Sequence, residues 1–296
     1  MIKRIVEISS ARTYLSVHYG QLVVKENGNE LSQIPCEDIG VLLIDHQATT
    51  YTHCVFTELL DKGAAIVLCG GNHHPAGMLL PLQSNSEQGE RFRKQTQAKE
   101  PVKKRLWKQI VQAKILHQAG IVGKGSQTYT ALMTLRQRVR SGDPENIEAQ
   151  ASRKFWPSYL PGIKFHRARD GAPPNNLLNY GYTVMRAAVA RALCSAGLMP
   201  CLGIHHHNRY NAFALADDVM EPFRGFVEVK VKDICEGDGV PHELTQPLKA
   251  KLLEVLYEPV SIAGCTGPLM VGLHRTAASL YRCFAGEQQE MELPAL

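Results

Sequence analysis

No stretch of this 296-residue chain is apolar for the ~18–20 residues that a membrane span requires. The longest candidate, Ala64 to Cys69, has the length of a strand. The charged start, Met1-Ile2-Lys3-Arg4, has no apolar core of signal-peptide length behind it. Eight cysteines occur, none as Cys-x-x-Cys and most among apolar residues, so they are expected to be buried thiols in a reducing cytoplasm. A Walker loop, a Gly-x-Gly-x-x-Gly fingerprint and a Gly-x-Ser-x-Gly elbow are all missing, which argues against the enzyme classes built on them. There is no internal repeat. With 44% hydrophobic and 21% charged residues, the chain is neither disordered, collagen-like nor a coiled coil.

Acid is scarcest between residues 91 and 140, where 13 lysines and arginines face Glu100 alone. Residues 1–90 lean the other way, with 5 basic and 10 acidic side chains, so a total of only +5 conceals one strongly cationic stretch. A solvated face normally mixes both signs. One-signed fields attract polyanions, and lysine and arginine contacts to phosphate dominate nucleic-acid affinity. An acidic membrane surface fits less well, because the stretch lacks the strong Trp/Phe/Leu face of an interfacial helix.

The first eighty residues alternate as strands do. Arg4 to Ile8, Tyr14 to Tyr19, Gln21 to Lys25 and Leu31 to Pro35 are predicted strands, with an Asn27-Gly28 turn before the last. Gly40 to Asp45 and Ala64 to Cys69 are short continuous apolar runs, as in well-buried strands, and Val55, Leu59 and Leu60 predict a helix ending at Gly63. Gly70 to Gly77 reads as the turn closing this part. After a polar linker the period becomes helical. Leu106, Ile110, Ala113 and Leu116 mark one helix and Met133 to Arg140 a second. Asp143-Pro144 caps a third through Trp156, Leu177 to Ala196 forms a long fourth, and further helices are expected near 208–221, 242–257 and 266–284. The fold class is α+β: a small β-rich domain over 1–82, a linker at 83–90 and a larger all-α domain over 91–296.

Three places concentrate potential metal ligands. Glu148 lies beside the Ile147, Ala151 and Phe155 stripe of its helix, where a buried carboxylate would want a cation and a boundary one would reach solvent. Of the adjacent His205, His206 and His207, at most one or two can face one metal. Asp217, Asp218, Glu221 and Arg224 share a helix face that Pro222 should kink or end. Such a group suits a divalent cation beside a phosphate, or else is a surface ladder of ion pairs. Oxygen donors with at most one imidazole favour Mg²⁺ or Mn²⁺ over zinc, and Cys194 and Cys201 match no usual zinc spacing.

These pieces together resemble the CRISPR-associated adaptation integrase, the catalytic subunit of spacer acquisition. The resemblance rests on the Glu148 helix, the fifteen residues from His206 to Glu221, and three words. Those are Leu106 to Val111, Asn176 to Tyr182 and Asp218 to Arg224, with His74-Pro75 after the last core strand. It covers nearly the whole chain and has the flavour of the compact proteins of type II systems. It implies Glu148, His206 and Glu221 as catalytic metal ligands for Mg²⁺ or Mn²⁺, with Asp218, Arg224 and Tyr180 in support. Val219 replaces the family's usual leucine, and His117 stands where an asparagine is expected. The implied reaction inserts short duplex DNA into a CRISPR array by attack of a 3′ hydroxyl on repeat phosphodiesters, without ATP; with water as nucleophile the site is an endonuclease. Arg91, Arg93, Lys94, Lys103, Lys104, Arg105, Lys108, Arg136 and Arg138 are then DNA-backbone candidates. The implied partners are double-stranded DNA, a second copy through the β domain, a small second adaptation subunit completing a heterohexamer, and the RNA-guided effector nuclease. Rival readings are a DNA-binding module without chemistry and a metal-dependent phosphohydrolase acting on small esters.

Overall fold

The computed structural model describes residues 3–71, 75–163, 165–168 and 170–295. Among the described residues, eight strands, one α-helix and a 3-10 turn (Cys36–Asp38) make the first part: β1 (Arg4–Ile8), β2 (Thr13–His18), β3 (Gln21–Glu26), β4 (Asn29–Pro35), β5 (Ile39–Ile44), β6 (Thr50–Tyr51), α1 (His53–Asp61), β7 (Ala65–Cys69) and β8 (Pro75–Leu79). One sheet has the order β1-β5-β7-β8, parallel except for β8, and the other the order β4-β3-β2-β6. Asn27 and Gly28, both at positive φ, close the β3–β4 hairpin where the turn was expected. His74, part of the family resemblance, lies outside the described residues.

β5 explains its unbroken apolar run. Leu42 and Ile44 face a core shared with Leu15, Leu22, Val55 and Leu59, while Val41 and Leu43 face the helices. A strand covered on both faces has no side left for polar residues.

The helical part comprises α2 (Gln88–Gln97), α3 (Glu100–Val122), α4 (Gln127–Arg138), α5 (Ile147–Tyr159), α6 (Asn175–Ser195), α7 (Ala214–Met220), α8 (Arg224–Asp238), α9 (Gln246–Leu253) and α10 (Leu269–Ala285). α6 is buried along most of its length. It approaches α8 closely at Gly181, where a Cβ would collide with Val227. α2 begins inside the expected linker, and Asn85 Nδ2 donates to the Ser195 carbonyl (3.0 Å), fastening the preceding turn to the end of α6. The part is helical as expected but also carries a small sheet of β9 (Pro259–Ile262), β10 (Cys265–Pro268) and β11 (Pro294–Ala295). With four residues or fewer, these strands are too short for alternation to register in the sequence. Among the described residues, no helix is long and apolar enough to cross a membrane.

Candidate active site

α5 starts at Ile147, later than Asp143-Pro144 would place it, because Asn146 in a left-handed conformation is the N-cap. Asp143 still serves the helix from outside: its carboxylate accepts from the amides of Ile147 (2.8 Å) and Glu148 (2.9 Å). These bonds satisfy first-turn donors that would otherwise be orphaned, and they fix where Glu148 emerges. Pro222 acts as expected on the next carboxylate. α7 ends, Glu221 to Phe223 form a single 3-10 turn, and α8 begins at Arg224.

The two glutamates meet on one ammonium. Lys114 Nζ pairs with Glu148 Oε1 and lies 2.6 Å from Glu221 Oε2. Glu221 is buried, and its Oε2 makes no aligned hydrogen bond. Arg224 Nε stands 3.0 Å from Glu221 Oε1, and its guanidinium lies 4.6 Å from the centre of the Tyr182 ring. Burial raises the Glu221 pKa, but Arg224 and Lys114 outweigh it and hold the carboxyl below its ordinary value. Burial likewise works against charge on Lys114, and Glu221 and Glu148 overcome it, so the ammonium is held above its ordinary pKa.

His206 is positioned by Asp218, which has no exposed surface. The Asp218 carboxylate accepts from the amides of Ile204 (2.6 Å) and His205 (2.9 Å) and pairs with His206 Nδ1. With Nδ1 committed, Nε2 is the imidazole nitrogen left to act outward. That hydrogen bond raises the His206 pKa, and His206 and Glu221 are close enough to shift each other. Gly203 lets the histidine loop close over the carboxylate, since a Cβ there would strike the His206 carbonyl. His205 stacks on Trp107 of α3, rings parallel and centroids 4.2 Å apart, and is thereby turned away from the role given to His206. His207 lines a cleft of about 500 Å³ that opens beside His206, with Lys103, Arg209 and Tyr210 also on its walls.

Glu148 and Glu221 therefore converge, with His206 nearby on its own support. As placed, no three His, Cys, Asp or Glu side chains among the described residues are close enough to hold a metal ion. The donor set still fits a hard divalent cation: two carboxylates already sharing one cation, and an imidazole held through its Nδ1. Asp217 goes elsewhere, to Arg186 (2.6 Å) and Asn211. Tyr180 does too. It sits with Glu7 and Lys249 where the first sheet meets the helices, its ring 5.9 Å from Lys249 Nζ, and burial and Glu7 push its pKa up.

The residue that sequence reasoning missed is Lys114, counted only among the cations. Its signal was register: Ile110, Val111 and Ile115 are buried on the same stretch of α3, whereas Leu116, placed on the predicted stripe, is exposed. The other cations divide. Arg93, Lys94 and Lys104 are exposed, and Lys108 is half-buried. Lys103 pairs with Glu100, and Arg138 with Glu145. Arg91 stacks on Tyr281, while Arg105 donates to the Gln289 carbonyl and Arg136 to that of Gln112, so these three serve packing.

Residues 6–235 match the family described as CRISPR associated protein Cas1. The CRISPR-associated endonuclease Cas1 of Neisseria meningitidis serogroup C (strain 8013) is 38% identical over 250 residues, 84% of this chain and 81% of that one. The chain belongs to the Cas1 family. Among solved structures, a casposase bound to integration product superposes with a TM-score of 0.80 at 17% identity, over 99% of this chain and 93% of that one. A Cas6-RT-Cas1–Cas2 complex gives 0.79 at 19% identity over 97% of this chain and 35% of the chain matched. At these identities the likeness extends to the fold, and the Cas1 architecture of a strand-rich first part and a helical second part is the one found here.

Proposed function

We propose that this Cas1 protein is a divalent-metal-dependent DNA integrase and endonuclease that inserts short duplex fragments into a CRISPR array in antiviral adaptive immunity. The observation that carries the reading is the convergence of Glu148, from α5, and Glu221, from the turn between α7 and α8, on one cation position beside His206. Glu148, His206 and Glu221 would hold Mg²⁺ or Mn²⁺, which would polarise the scissile phosphodiester and stabilise the leaving oxygen. Asp218 orients His206 through Nδ1. Arg224, held between Glu221 and the Tyr182 ring, would meet a phosphate oxygen. A DNA 3′ hydroxyl as nucleophile exchanges one phosphodiester for another, and water in its place gives cleavage.

The exposed Arg93, Lys94 and Lys104 support backbone contact along α2 and α3. The name of the Cas1–Cas2 neighbour supports a small second adaptation subunit as partner, and the bound casposase supports strand transfer. We assign homodimerisation to the β domain of residues 1–82, catalysis to residues 91–296, and fragment selection to a shared task with a type II effector nuclease in the cytoplasm. The test is joining of a labelled duplex with free 3′ hydroxyls to a supercoiled plasmid carrying a repeat, with the small subunit and Mg²⁺ or Mn²⁺. Joining should require the metal and vanish in Glu148→Ala. Joining that survives the substitution would move the site elsewhere, and DNA binding without joining or cutting would leave a binding module.

A further inference from the structure

A lysine buried between two carboxylates of a cation site has two uses open to it. It can neutralise them, or it can obstruct what else would bind them. Lys114 is among the buried charged residues of the chain. A buried ammonium is tolerated only with close anionic partners, and those partners are Glu148 and Glu221. Arg224 is a second cation on Glu221, but among the described residues Lys114 alone is paired with Glu148. The ammonium lies between the same two oxygens that the proposed metal site would use, and a cation of twice its charge cannot share them at hydrogen-bond distance without strong repulsion.

We propose that the Lys114 ammonium is a resident counter-ion that competes with the divalent cation for Glu148 and Glu221. It keeps α5 and the turn between α7 and α8 in register when the cation is absent, and it sets the cation concentration at which the site fills. Once displaced, it is a donor at the edge of the site with no carboxylate to itself. Lys114 is thus a positioning residue whose effect appears in metal affinity, and the proposal rests on the cation-site reading of Glu148 and Glu221.

The experiment titrates the full chain with Mn²⁺ alone by calorimetry and measures melting with and without Mn²⁺. In Lys114→Gln the Mn²⁺ Kd should fall roughly tenfold, the order of relief expected when one nearby positive charge is removed. The metal-free variant should melt lower than wild type and recover more on adding Mn²⁺, and Lys114→Arg should return the affinity toward wild type. Lys114→Met serves the same comparison should the Gln variant not fold. Unchanged or weaker Mn²⁺ binding in the folded Lys114 variant overturns the proposal. A separate comparison isolates the underlying reading: Mn²⁺ binding by wild type that persists in Glu148→Gln removes the cation site itself, and this proposal with it, without reference to Lys114.

Discussion

Asp218 is a fully buried carboxylate whose partners are three backbone amides and an imidazole, with no lysine or arginine among them. It is a negative charge stabilised by dipoles and by His206, and its work is orientation. Replacing it by asparagine keeps an oxygen for the Ile204 and His205 amides but puts an NH₂ against His206 Nδ1, where it either faces another N–H or forces the ring proton onto Nε2. Asp218→Asn should therefore lower strand transfer about 10–100-fold, the usual cost of losing a partner that orients a ligating histidine. Melting should fall as well, by an amount corresponding to about 1–3 kcal/mol. An Asp218→Asn protein with full activity would mean that His206 is held by something else. In the sequence Asp218 was visible as one member of a carboxylate face. Its orienting role was not, because Gly203 to His207 are brought to it only by a loop whose closure depends on the Gly203 contact.

At the scale of elements, the sequence marked strands and helices better than their ends. Alternation in β1 to β4 and the continuous runs of β5 and β7 were legible because burial on one face or on both leaves a direct imprint on residue type. The start of α5 was not, since Asp143 caps from four and five residues away while Asn146 occupies the N-cap. α8 was hidden by Pro222, which stops one helix and lets another begin at once. Lys114 was masked by its neighbours: one lysine in a cation-rich helix carries no sign of lying on the buried side. The double role of Asp143 gives a prediction at this scale. Asp143→Ala should cost about 1–2 kcal/mol, as cap deletions do, seen as a lower urea midpoint at unchanged slope. Strand transfer should also drop, because the first turn of α5 carries Glu148. A stability loss with activity intact would show that Glu148 does not depend on this cap.

Across the whole molecule, a buried histidine, His117, and a half-buried one, His274, tie distant segments together and make the fold acid-sensitive. His117 on α3 donates from Nε2 to the Pro294 carbonyl of β11 (3.1 Å), and its buried Nδ1 lies by the Pro222 backbone without an aligned hydrogen bond. His274 on α10 lies 2.8 Å from Arg191, whose Nε donates to the Gly63 carbonyl between α1 and β7 in the strand-rich part. Burial lowers the pKa of His117 to about 4; burial, with Arg191 and Lys3 adding to it, lowers that of His274 to about 4. In the unfolded chain both titrate near 6.5, so between pH ~6.5 and ~4 the unfolded state binds protons that the folded state refuses. Their contribution is complete above pH ~6.5 and declines as pH falls toward 4, by up to about 3 kcal/mol for His117. Glu7 and Glu228, whose pKa values burial pushes up, take protons in the folded state and pull the other way, so the wild-type profile alone is not diagnostic. His117→Asn separates the contributions. It installs the residue expected from the family resemblance and removes the titrating ring together with its Nε2 bond to Pro294. Urea midpoints measured at pH 7 and pH 5 should converge in this variant relative to wild type. An equal acid loss in both proteins would mean that His117 is protonated in the folded state and that β11 is held by other contacts.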